Sequence, residues 1–291
     1  MRNVFLFTAF FLCVTTALAQ HHGSKNSKDK RIFISIDEYV SIFKKEPDLS
    51  DPKNYFIVHG DTLVGVENLK AKVVPFEYKD ANFLETYKKI AFNDNNKSKD
   101  GKTRLKYWKN GIKIYLSESV PLSTQKALKR FADEISRDID SLHISFKKNI
   151  NEANYVIYLN GDFEYNTSLE NSDADYYLNW NGKNQITKGY IKINPVVFFT
   201  ETLMTEKMKE LFIRSLGHFK GTDELNCSSF YSICTEGEKK FSILDREILK
   251  YHYSYGICKG VDEETFDGLH ENANKLRKNE PNIPHMIKHI E

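Results

Sequence analysis

The residues whose types and spacing could do chemistry are concentrated in the carboxyl half of this chain. In the run Glu210-Leu211-Phe212-Ile213-Arg214-Ser215-Leu216-Gly217, a carboxylate and a guanidinium stand about one helical turn apart. On a helix such a pair shares a face and forms an ion pair. His218, Asp223 and Glu224 lie just beyond, with His143 and His252 further off in sequence. These are metal-ligating types, but their spacing matches no regular ligand set, and a lone histidine near a helix end is more often a cap or surface residue. Asp173 and Asp175 sit in an Asn- and Asp-rich stretch that lacks the central glycine and closing glutamate of a calcium loop. The better reading there is a solvated loop. Tyr176-Tyr177-Leu178-Asn179-Trp180, in the same stretch, is the best candidate contact surface for a protein, peptide or glycan. The plainer alternative is that these aromatics pack onto a sheet. The chain has no G-x-S-x-G, no phosphate-binding G-x-x-x-x-G-K-[ST] and no dinucleotide fingerprint, and no cofactor is implied.

The amino terminus has the form of a secretory leader over residues 1–19. Arg2 is its charged start, Val4 to Leu18 its apolar run, and Ala17-Leu18-Ala19 places cleavage before Gln20. The rival, a lipid anchor on Cys13, lacks the small residue expected before a lipidated cysteine. Cleavage leaves Cys227, Cys234 and Cys258 in an oxidising compartment, which favours one disulfide and leaves one thiol over. Cys227 and Cys234 are the favoured pair, with Cys258 able to replace either. A catalytic thiol would need a histidine and an electropositive setting, and none is evident. The expected location is therefore outside the cell or in a periplasm. Nothing after the leader is long and apolar enough to span a membrane.

Composition narrows the class further. The chain has 291 residues, 40% of them hydrophobic, with 16 Tyr and 20 Phe. That is enough for one sizeable core or two modest ones. The net charge of +2 gives no argument for nucleic acid or for an acidic membrane, and the basic run from Lys25 to Arg31 is weak.

The elements that must position the candidate residues follow from periodicity. A polar tail over 20–31, with His21-His22, precedes a small amino-terminal α+β region over 32–92. There Ser35 caps a helix carrying Tyr39, Ile42 and Phe43, and Tyr55–Val58 pairs with Thr62–Val66 around His59-Gly60-Asp61. Residues 93–102 contain no apolar residue and read as a linker. The main domain, 103–270, opens with Arg104 to Trp108 and a turn at Asn110-Gly111, then a strand over Ile112–Leu116, whose residues alternate apolar and polar. A helix from Leu122 to Leu142, capped at Ser123, follows. Strands are expected at Ile144–Phe146, Asn154–Leu159 and Tyr190–Ile193, a loop over Asn160–Asn184, and helices at Thr202–Gly217 and Ser242–Tyr253. Residues 271–291 read as a polar tail. Helices on the faces of a mixed sheet make the class α+β.

Three motifs carry a family resemblance across roughly Tyr107 to Gly260. Leu216-Gly217 closes a helix as the metzincin active-site helix is closed. Ser228-Ser229-Phe230-Tyr231 stands where metzincins have their Met-turn, with Phe230 in the methionine place. Asp245 and Tyr253 have the separation seen in the last metzincin helix. The chain thus resembles a metzincin-type (zincin-fold) peptidase domain. More narrowly, it resembles a bacterial family of secreted domains of unknown function (domain of unknown function 2927). The resemblance implies an H-E-x-x-H helix, in which two imidazoles hold zinc and the glutamate activates the metal-bound water. Aligned on Gly217, the first histidine slot holds Glu210, the glutamate slot Leu211, the second histidine slot Arg214 and the third ligand slot Lys220. Leu211 cannot act as a base, and Arg214 and Lys220 bring positive charge where zinc would sit. A pseudo-peptidase without metal, in which an ion pair replaces the metal as a crosslink, is the expectation. The alternative is an active metal-dependent hydrolase with non-standard ligands that include His218.

Overall fold

The computed structural model describes residues 14–16, 32–58, 61–67, 71–93, 100–234 and 237–290. The expected cleavage site, Cys13, the tail over 20–31, the His59-Gly60 turn and most of the linker lie outside these residues. In chain order the first elements are β1 (Val14–Thr16), β2 (Ile32–Ser35), α1 (Ile36–Phe43), β3 (Tyr55–Val58), β4 (Asp61–Val66), β5 (Ala71–Pro75) and α2 (Ala81–Ala91). Next come β6 (Tyr107–Trp108), β7 (Ile112–Leu116), α3 (Leu122–Asp138), β8 (Ile144–Lys147), β9 (Tyr155–Leu159), β10 (Ala174–Trp180) and β11 (Gln185–Ile193). The chain ends with α4 (Glu201–Ser215), α5 (Ile243–Tyr253), α6 (Glu263–Asn279) and β12 (Met286–Ile290).

Two compact units result, one of residues 77–270 and one built from 12–76 with 271–291, the division falling inside α6. The smaller unit holds a sheet of order β2-β4-β3 and a sheet of order β1-β12-β5, all antiparallel. The expected hairpin is present as β3 and β4, with Val58 opposite Asp61. Three features of this part differ from the expectation. Residues 271–290, read as a polar tail, form the end of α6 and β12. Helix α2, which falls within the expected amino-terminal region over 32–92, belongs to the larger unit. Val14–Thr16, inside the expected leader, is a strand paired with β12.

The larger unit is α+β. Its sheet has the order β10-β11-β9-β7-β8, with β6 also paired to β11. Strands β8, β7, β9 and β11 run parallel, and β10 closes one edge antiparallel to β11. In β7 the buried side chains are Ile112 and Ile114, two apart, as alternation requires. All five residues of β9 are buried, the pattern of a strand covered on both faces. Helix α3 packs on α4 and β8, and α4 on β10 and β11, so the two helices share one face of the sheet. Leu128, Phe131 and Ile135 of α3 meet Met204, Met208, Leu211 and Phe212 of α4 in one core.

Local signals explain most boundaries. Helix α4 starts at Thr200, whose hydroxyl accepts from Leu203 N at 3.1 Å. Ser123 is not the α3 cap: Pro121 occupies that position without a side-chain bond, and Ser123 Oγ instead donates to Glu201 at the start of α4. The expected loop over Asn160–Asn184 contains β10. Its Asn-rich composition hid an edge strand, because one face of an edge strand stays in solvent and tolerates polar residues.

Candidate functional site

Helix α4 places Glu210 and Arg214 on one face as their spacing requires. Arg214 Nη2 lies 2.9 Å from Glu210 Oε1. Lys207, on the preceding turn, donates to Glu210 Oε2 at 3.2 Å, so one carboxylate serves two cations. Both members of the pair are largely enclosed, with side chains 16% and 10% exposed. Leu211 turns the other way, into the core.

Arg214 does more than pair along its own helix. Its Nε donates to Phe230 O at 3.1 Å and its Nη2 to Ser232 O at 2.8 Å. One planar guanidinium therefore ties α4 to the segment that follows it, through geometry a lysine cannot copy. Lys239 Nζ joins from the far side, donating to Ser232 O at 2.8 Å and Ser229 O at 3.0 Å. A Cβ on Gly221 would lie 2.6 Å from Ile233 Cγ2 and 3.1 Å from Arg214 Nη2, so this glycine leaves room for both side chains. Across the same segment Thr222 N donates to Tyr231 O at 2.8 Å, and Cys227 is bonded to Cys234. The favoured disulfide is thus formed. The left-over thiol is not: Cys258 is buried and disulfide-bonded, and no described cysteine is free.

Helix α5 braces the turn from its other side. Ser242 and Asp245 form a reciprocal capping box. Asp245 reaches further, accepting from Ser229 Oγ at 2.5 Å and from Phe230 N at 3.1 Å. Burial pushes its carboxyl above the ordinary range, while the hydrogen bonds from Ser229, Phe230 and Ser242 pull it back. At the far end of α5, Tyr253 donates its hydroxyl to Leu216 O at 2.6 Å and accepts from Trp108 N at 3.1 Å. Tyr155 of β9 reaches Ser215 Oγ at 2.6 Å. The carboxyl end of α4 is therefore held by tyrosine hydroxyls from a strand and from a helix.

The chain leaves α4 in a tight reversal. Phe219 N donates to Arg214 O at 2.7 Å, and His218 adopts φ of 55°, the left-handed conformation that favours glycine. Gly217 is required for another reason: a Cβ there would lie 2.2 Å from the Phe219 ring. The ring of His218 lies 5.4 Å from Trp180 and 5.9 Å from Tyr176, with Nδ1 3.4 Å from the Tyr176 hydroxyl. Burial, reinforced by the Lys106 ammonium, pushes this imidazole down to about 4. Lys106 itself is pushed down to about 8 by burial and the charge of Arg104, and its ammonium lies 5.0 Å from the Trp180 ring.

The structure therefore brings Glu210, Arg214 and the Phe230 turn together, and places His218 beside Tyr176 and Trp180. Tyr176 and Trp180 are half-buried on the inner side of β10, and Tyr177 is the outward-facing member of the trio. Lys220 is half-buried and its backbone N donates to Ile90 O at 2.8 Å. Glu224 pairs with Lys89. His143 is exposed. His252 is fully buried, bonded to Tyr87 and to Lys106 O, and burial pushes it down to about 3. Among the described residues no three His, Cys, Asp or Glu side chains converge in a metal-ligating arrangement. Lys207 and Lys239 escaped the sequence reading. Lys207 precedes Glu210 by three residues, a readable helical signal. Lys239 joins through an irregular loop that carries no such signal.

The chain matches no family model, and no curated protein matches it. No described helix is long and apolar enough to cross a membrane, which with the Cys227–Cys234 bond is compatible with a secreted or periplasmic protein.

Proposed function

We propose that this chain is a secreted, non-catalytic binding or structural protein on a degenerate metzincin-like scaffold. The observation that carries the reading is the position of Arg214. Its guanidinium stands in the second histidine slot and bonds Glu210, from the first slot, together with two carbonyls of the turn that follows. Those contacts do the cross-bracing that a metal would otherwise do, and Leu211, in the slot of the general base, is apolar and buried. Supporting the scaffold assignment are the glycine that closes α4, the bonds from Asp245 to the Phe230 turn, and the bond from Tyr253 to the end of α4. The order strand, long helix, strands, helix, irregular segment, helix also supports it, as does the single antiparallel strand at the sheet edge.

The competing activity is hydrolysis through His218, which burial keeps neutral at pH 7 but, by lowering its pKa to about 4, makes a weak base. Its ring meets the Tyr176 hydroxyl at Nδ1 and the Asn93 amide at Nε2. The test is a peptide mixture incubated with the purified chain, with and without added zinc, and read by mass spectrometry. The expected result is no cleavage above buffer. Cleavage abolished in His218→Asn, a variant that tolerates the left-handed backbone, would overturn the reading.

A further inference from the structure

The parallel strands β7, β9 and β11 end at the same edge of the sheet, with Leu116 beside Ile157 and Ile193 beside Leu159. Three segments leave from that end: residues 117–123, 160–173 and 194–206, the first and last running into the opening turns of α3 and α4. Hydrogen bonds tie them together. Ser117 donates to Asp162 at 2.7 Å, Asn160 N to Ile193 O at 2.8 Å, Asn194 to Asp173 at 2.7 Å, and Ser123 to Glu201. These segments present Leu122, Phe163, Val196, Val197, Phe199 and Leu203 to solvent, at 73%, 75%, 81%, 47%, 76% and 43% exposure. Single exposed apolar residues are ordinary, but six on linked segments of one end form a patch. Phe163 is held in place edge-on by Tyr165, with centroids 5.2 Å apart.

The charge around this patch is one-sided. The three segments contain Glu118, Asp162, Glu164, Glu170, Asp173, Glu201 and Glu206 and neither lysine nor arginine; the next residue along α4, Lys207, is a cation already paired with Glu210. Of these, Glu164 is neutralised by Lys192 at 2.6 Å. An apolar centre with an acidic rim repels an anionic lipid surface and repels a second copy of itself. We propose that this end of the sheet docks a cationic amphipathic polypeptide segment, with its apolar face on Phe163 and Phe199 and its lysines or arginines on the acidic rim. The proposal stands on exposure and charge at this end and does not depend on the reading of α4.

The experiment titrates the full chain into a fluorescein-labelled helical peptide of leucine and lysine, followed by anisotropy. A matching peptide with glutamate in place of lysine is the control. The expected result is saturable binding of the lysine peptide, weakened by salt and weakened roughly tenfold or more in Phe163→Ser/Phe199→Ser, the scale of losing interface anchors. Charge reversal by Glu118→Lys/Glu170→Lys, at two exposed positions, is expected to weaken it too, and decides the matter should the serine variant melt differently from wild type. Equal binding of the two peptides would overturn the proposal, as would unchanged binding by the charge-reversed variant. Self-association lost in the serine variant, or capture of zwitterionic vesicles in preference to the peptide, would overturn it as well.

Discussion

At the scale of single residues, Arg214 carries the account. It bonds both along α4 and across to the following turn, and it is largely shielded from water. Removing it leaves Glu210 half-matched by Lys207 and strips a donor from Phe230 O. Breaking an enclosed pair in this way costs more than the pair itself contributes, because the abandoned charge stays desolvated. Arg214→Ala is therefore expected to lower unfolding stability by about 3 kcal/mol, measured by urea denaturation, and Arg214→Lys by an intermediate amount. A loss within error of zero for Arg214→Ala would remove the bracing role. The ion pair was legible in the sequence, since Glu210 and Arg214 share a helical face. The second half of the device was not, because carbonyls presented by a loop leave no trace in residue types. Nor did the sequence reveal that the left-handed residue after α4 is His218 rather than the neighbouring Gly217.

At the scale of elements, α5 acts as a clamp whose two ends do different work. Ser242 caps the helix alone, whereas Asp245 caps it and also holds Ser229 and Phe230. Ser242→Ala is expected to cost about 1 kcal/mol, the scale of an ordinary cap. Asp245→Ala is expected to cost more, since it also orphans a buried hydroxyl and a buried N–H. Thermal melts of the two variants separate the roles, and equal losses would contradict them. The start of α5 was readable at Ser-Ile-Leu-Asp, and α3 and β7 from periodicity. Helix α6 was missed because its buried stripe is thin, resting on Phe266, His270 and Ala273, with Gly268 in its middle. Strand β10 was missed because asparagine and aspartate on its solvent side resemble loop composition.

At the scale of the whole molecule, buried imidazoles make stability depend on pH. His252 donates one ring nitrogen to Lys106 O and accepts from Tyr87 at the other, and burial pushes it down to about 3. An unfolded histidine titrates near 6.5, so between that value and the folded one the unfolded chain binds the extra proton. The contribution is complete above about pH 6.5 and falls as the medium is acidified, by about 1.4 kcal/mol per pH unit in that window. His218 acts in the same direction. Urea midpoints are expected to fall from pH 7 to pH 5, with a shallower fall in His252→Gln, which keeps a donor and an acceptor but does not titrate. The central claim concerns what braces the end of α4 in the folded chain, a guanidinium or an ion. Metal content of the purified chain after dialysis against metal-free buffer, paired with thermal melts with and without chelator, decides between them. The expected result is zinc well below one equivalent, a melting temperature indifferent to chelator, and a lowered one in Arg214→Ala. One tightly held equivalent of zinc, with a melting temperature that drops on chelation, would contradict it.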